Sequence, residues 1–157
     1  VPIDDWVLIL DDDMVPARNP KHLLHPHADA IAFALYDIWN YIPLTYRNDR
    51  FWSAHLRPRI WAFKMRPDIH EANYDDRTIH CGHLPAIQFN NTIIAPDEYS
   101  LLHHAYASTV LRERKYDQYS QRRDDLTAGE WDHVESILDL NPVTHLLHIG
   151  EEWPLRF

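Results

Sequence analysis

"WVLILDDDMV", residues 6–15, is where the reading of this chain begins. Trp6 to Leu10 is a continuous apolar run of strand length. A run without alternation predicts a strand covered on both faces, as in a parallel sheet. Three adjacent carboxylates, Asp11, Asp12 and Asp13, then end it. Like charges repel, and desolvation raises the cost, so such a strand end is either well solvated or meets something positive. In open α/β sheets, ligands bind beyond the carboxyl ends of strands, which is where this triplet falls. Asp11 and Asp13 have the spacing of a D-x-D pair. Two such carboxylates can share a divalent cation, or divide between a cation and a sugar hydroxyl. Mg2+ takes one or two protein carboxylates and completes its shell with phosphate oxygens and water. Mg2+ or Mn2+ held this way suits a diphosphate leaving group, whose developing charge the metal neutralises. An acidic triplet alone is more often a solvated loop; the apolar strand before it raises its weight.

The totals narrow the choices. A length of 157 residues predicts a single domain, 1–157. A hydrophobic content of 45% with 12% aromatic residues belongs to a globular chain. The formal net charge of -9 excludes a broad basic footprint, so no general nucleic-acid or anionic-membrane surface is expected. A small basic pocket for a phosphorylated ligand stays open. Cys81 is the only cysteine, so no intrachain disulfide forms. With no apolar run of membrane-spanning length and no signal segment at Val1, a cytoplasmic location is expected. The opening on Val1, close ahead of a core strand, reads as a processed chain or a fragment. Only 3 glycines are present, so neither GxGxxG nor a P-loop can be built.

Along the chain, Pro16 and Pro20 punctuate a loop with one helical turn at 20–25. "ADAIAFALYDIWNYI", 28–42, predicts one strand, with Ile31, Phe33, Leu35 and Asp37 in period two. "RPRIWAFKM", 57–65, predicts another, with Ile60, Ala62 and Lys64 on one face and Arg59, Trp61 and Phe63 on the other. Ser108 is an N-cap for a helix at 109–123, and Thr127 with Glu130 is a capping box for a second helix. The fold class is therefore α/β: a mixed sheet with C-terminal helices.

Three further constellations can carry chemistry. In "LLHHAY", His103 or His104 can supply a neutral imidazole ligand, although one core-facing and one exposed histidine is the commoner outcome. A His103 ligand beside Asp13 favours Mn2+ over Mg2+, because magnesium prefers oxygen shells. His80, Cys81 and His83 cluster, but without finger spacing or a second cysteine they do not make a zinc site. A histidine that orients an acceptor is the better reading of His80. Arg57 and Arg59 alternate, so they can clamp a phosphate, or simply lie side by side on the surface.

The order of these parts resembles family 2, GT-A-type glycosyltransferases. "DDWVLILDDDMVP" is similar to the family's D-x-D segment, "RPRIWAFK" to its Arg-rich strand, and "TIHCGHL" to its histidine segment. "LLHHAYASTVLRERKYDQY" resembles its ending, a histidine strand leading into a helix with an Arg-Lys-Tyr signature. The likeness runs from about residue 4 to 119, leaving 120–157 as a helical C-terminal extension. It implies an incomplete GT-A-like fold and metal-dependent, inverting transfer of a sugar from a nucleotide-sugar donor to an acceptor the sequence does not name. It implies Asp13 on the metal, Asp11 on the metal or the donor, and His103 as the late metal ligand. The base for the acceptor hydroxyl would come from Asp75 or Asp76, or from Glu71, because Cys81 stands where the family often has Glu. The family's nucleotide-binding segment precedes the D-x-D strand and has no counterpart here. A missing N-terminal half or a second chain would supply it, and this chain alone is expected to turn over weakly or not at all. Two other readings stand beside this one: a non-catalytic carbohydrate- or partner-binding module, and a metal-dependent hydrolase. The second is disfavoured because no HExxH or two-metal spacing occurs.

Overall fold

The computed structural model describes residues 2–70, 72 and 87–148. Among these the chain runs β1 (Trp6–Leu8), β2 (Met14–Pro16), β3 (Ala30–Phe33), β4 (Leu35–Tyr41), β5 (Leu44–Arg47), β6 (Arg59–Lys64), α1 (Pro67–His70), β7 (Thr92–Ile94), β8 (Leu101–His103), α2 (Thr109–Ser120), α3 (Ala128–Glu135) and β9 (Thr144–Leu146). The α/β class holds, but the strands divide into two mixed sheets. One has the order β1-β6-β3-β7, the other β2-β8-β4-β5-β9. The β3–β7 and β8–β4 pairs are parallel, and the rest are antiparallel.

The predicted strand at 28–42 is two strands, β3 and β4, which change sheets at Ala34. Residues 30–35 are buried at every position, so neither face marks the break. Small alanines at 30, 32 and 34 let the chain pass between sheets without a turn. Its carbonyls keep partners across the break: Ala32 O accepts from Ala95 N at 2.8 Å and Ala34 O from Leu101 N at 2.9 Å. Two other segments make the same crossing beside it. Asp11–Asp13 leads from β1 to β2, and a short 3-10 turn, Asp97–Tyr99, leads from β7 to β8.

Two corrections concern the strands that flank the first sheet. Trp6–Leu8 is not a strand covered on both faces within a parallel sheet. It lies at one end of its sheet, pairs antiparallel with β6, and is half-buried. Its apolar residues pack over the core from the rim, and Ile9 N extends the ladder to Trp61 O at 2.9 Å. In β6 the strict alternation fails, because the register to β3 skips Trp61. An unpaired residue flips the faces that follow, so Ile60 packs with Phe63 and Trp61 with Ala62.

The main core, with Ile31, Phe33 and Leu101 fully buried, lies against both sheets. Each such side chain contributes about 1.5–3 kcal/mol by leaving water. A second, aromatic core of Trp39, Trp52, Tyr106, Val134 and Ile137 fixes the C-terminal helices to the second sheet. Both caps form as the sequence predicts. Ser108 accepts from Leu111 N at 3.3 Å, and Thr127 and Glu130 make the reciprocal capping box. In α2 the half-buried residues Leu111, Arg112, Lys115, Tyr116, Tyr119 and Ser120 recur at helical spacing, so one face packs and the other meets water. The extension is not wholly helical, since "THL" pairs with β5 as strand β9. No helix of the described residues is long and apolar enough to cross a membrane.

Candidate functional site

β8 lies between β2 and β4, and this order builds the site. His103, the last residue of β8, is in register with Met14 on one side and Asp37 on the other. Asp13, one residue before β2, is pinned by its carbonyl, which accepts from His104 N at 2.8 Å. Three residues distant in sequence are thereby placed side by side. His103 Nδ1 lies 2.7 Å from Asp37 Oδ1, and Nε2 lies 3.3 Å from Asp13 Oδ1. An ionised carboxylate only accepts, so Nδ1 carries a proton and donates it to Asp37. From α2, Lys115 Nζ donates to Asp13 Oδ2 at 3.1 Å.

The electrostatics follow from this packing. His103 and Asp37 are each 9% exposed. Burial works against a charged imidazole, but the Asp13 and Asp37 carboxylates prevail and push His103 up to about 9. Burial also opposes ionisation of Asp13, yet His103 and Lys115 hold its carboxyl well below the usual range. Without a bound ion, His103 is thus an imidazolium between two carboxylates. Tyr106, fully buried beneath it at 5.1 Å between ring centres, is pushed well above the ordinary phenol value by desolvation.

Asp11, Asp37, His103 and Lys115 line a cavity of about 550 Å3. Phe51, Trp52 and His133 give it an aromatic wall, with His133 stacked on Trp52 at 4.5 Å. Arg57 and Arg59 line the same cavity, although only Arg59 is in a strand; Arg57 caps a short 3-10 turn. Asp11 reaches the cavity, while Asp12 is exposed. His104 faces the other way, stacked on Tyr41 at 5.6 Å. Asp75, Asp76 and His80, with Glu71, Cys81 and His83, lie outside the described residues.

No family model, no curated protein and no solved structure matches the chain. The site is therefore read from its own chemistry.

Among the described residues no group of three or more metal-ligating side chains converges on one point. Two donors nevertheless suit a cation that takes its remaining ligands from substrate and water. Asp13 Oδ1 is buried and receives no hydrogen bond. It faces His103 Nε2 at 3.3 Å without the alignment of a hydrogen bond. That is about the separation of two adjacent ligands at ~2.1 Å from one divalent ion. Asp37 on Nδ1 completes the carboxylate–histidine pair that usually stands behind a metal-bound imidazole. Asp11 and His103 thus line one cavity, and Asp13 is in direct contact with His103. Asp37 and Lys115 are the residues that the sequence reading of the site did not include. A lone carboxylate inside an apolar strand was the available signal for Asp37. Lys115, within the helix signature "RERKYDQY", had none beyond its place in that motif.

Proposed function

We propose that this chain is a glycosyltransferase, or part of one, which transfers a sugar from a nucleotide-sugar donor with the help of Mn2+ or Mg2+. The observation that carries this reading is the Asp13–His103–Asp37 line, whose His103 and Asp37 line a cavity with an aromatic wall. Asp13 and His103 would hold the ion, with Asp11 as the nearby second carboxylate. When bound, the ion supplies positive charge opposite the diphosphate leaving group. Asp37 fixes the imidazole tautomer and ring orientation. Lys115 places a second positive charge beside Asp13, suited to phosphate oxygens. Phe51, half-buried on the cavity wall, offers an apolar ring of the kind that stacks on sugars. Inverting transfer also needs a base for the acceptor hydroxyl, for which Asp75 and Asp76 are the candidates.

Isothermal titration of nucleoside diphosphates, with Mn2+ and then with EDTA, tests the reading. Binding is expected only with Mn2+, and Asp13→Asn or His103→Ala is expected to abolish it. Absence of any Mn2+-dependent binding to the chain or to a longer protein that contains it ends the proposal. A second reading has one observation in its favour. Asp13 is already balanced by Lys115 and His103 without an ion. On that reading the chain is a carbohydrate-binding module, and Mn2+ has no effect on sugar binding.

A further inference from the structure

The cavity has the opposite charge balance to the chain that builds it. The whole chain carries 15 Lys and Arg against 24 Asp and Glu. Among the described residues the cavity is lined by Arg50, Arg57, Arg59, Lys115 and Arg122, with only Asp11 and Asp37 as acids. Lys115 is engaged by Asp13 at 3.1 Å, and Arg122 lies 3.8 Å from Asp125. No ion pair among the described residues joins Arg50, Arg57 or Arg59 to a carboxylate. An isolated exposed arginine is unremarkable, being well solvated. Three on the wall of one concave site repel one another, and their fields add within it. The chain retains that arrangement despite a surplus of acids from which partners could have been drawn.

We propose that Arg50, Arg57 and Arg59 form a second anion subsite, which selects an acceptor sugar bearing a phosphate or carboxylate group. The inference rests on the transferase reading for the word acceptor, and on the cavity alone for the anion. On the transferase reading the donor diphosphate is taken up by the cation at Asp13 and His103, with Lys115. The arginine wall is left for a different negative group. Guanidinium forks bind phosphate and carboxylate in two-point fashion, which a lysine cannot do. Phe51, next to Arg50 in the chain and on the wall of the same cavity, gives the sugar ring a surface to lie against.

The test is fluorescence and calorimetric titration of the chain in EDTA with glucose 6-phosphate, glucuronate and glucose. At least one anionic sugar is expected to bind in the millimolar range or tighter, and glucose not to bind. The tighter of the two anions identifies the group the subsite takes. The double variant Arg57→Gln/Arg59→Gln is expected to weaken binding about tenfold or more, and Arg50→Gln by a smaller factor. All three positions are exposed, so folding should survive, as circular dichroism would show. Arg114→Gln, on the solvated face of α2, controls for loss of charge and should change nothing. Failure of both anions to bind, equal binding of glucose, or an unaffected double variant would each overturn the subsite. So would a requirement for Mn2+, which would place the anion at the metal instead. Mn2+-dependent nucleoside diphosphate binding is measured separately on the same proteins. Its absence from the chain and from a longer protein that contains it, alongside retained anionic-sugar binding, sinks the transferase reading and leaves the subsite standing.

Discussion

Replacing Asp37 by asparagine keeps the side chain's shape and an acceptor oxygen but removes the charge that faces His103 Nδ1. The rise of His103 from 6.5 to about 9 corresponds to about 3 kcal/mol of stability in the metal-free protein. Because the folded value lies above the unfolded one, this contribution is complete below pH 6.5. It is lost as pH rises through about 9. Asp37 holds the nearer contact, 2.7 Å against 3.3 Å for Asp13, so we assign it the larger share, about 2 kcal/mol. Asp37→Asn should therefore destabilise by about 2 kcal/mol at pH 6, or about 4–8 °C in melting temperature. At pH 9.5 and above the difference should fall below about 1 kcal/mol, since a neutral imidazole can still donate to the amide oxygen. Urea denaturation in EDTA at the two pH values reads the effect, and imidazole NMR follows His103 directly. Equal destabilisation at both pH values, or a His103 titration unchanged by the substitution, would refute the reasoning and leave Asp37 as a packing residue.

The acid side has the opposite sign. The Asp13 carboxyl titrates below its unfolded value of 3.8, so its contribution is present above that pH and lost on acidification. Asp13→Asn should flatten the acid limb of the stability profile, as read by thermal melts between pH 2 and 5. Arg47→Ala should cost about 3–5 kcal/mol in urea unfolding. Arg47 is 2% exposed, lies between the Trp39 and Trp52 rings, and bonds Asp49, Ser136 O and Asp139, so truncation strands several partners. Thr127→Ala should cost about 1 kcal/mol through loss of the capping box, with restoration by Thr127→Ser.

What the sequence made legible was local. Ser108 and Thr127 announce their helices because a cap satisfies backbone groups within three residues, without help from the rest of the fold. Asp13 and His103 were picked out by motif, and the structure places them in contact. Asp37 was not, because its meaning depends on β4 lying parallel to β8. That pairing joins residues 66 positions apart in the chain. The break at Ala34 left no trace either, since a chain buried on every side needs no polar turn to change sheets. The apolar run at 6–10 was misjudged for a related reason. Hydrophobicity reports that a strand packs, not whether it stands at the rim or the middle of a sheet. Trp61 broke the alternation of β6 because a bulge is a property of two strands in register, not of one.

The three segments that pass from the first sheet to the second have a consequence for how the protein opens. Asp13 lies on one of these crossings, and Asp37 and His103 lie just beyond the other two, in β4 and β8 of the second sheet. Neighbouring strands of the second sheet therefore hold the three side chains, and the crossings tie that sheet to the first. Loosening of the rim strands β1 or β9 leaves the triad in place, whereas loosening of β2, the rim strand beside β8, withdraws Asp13 from it. Slow amide exchange at positions 35–38 and 101–103 would then report the Asp37–His103 pair, and exchange at 14 and 15 the hold on Asp13, as two separate quantities.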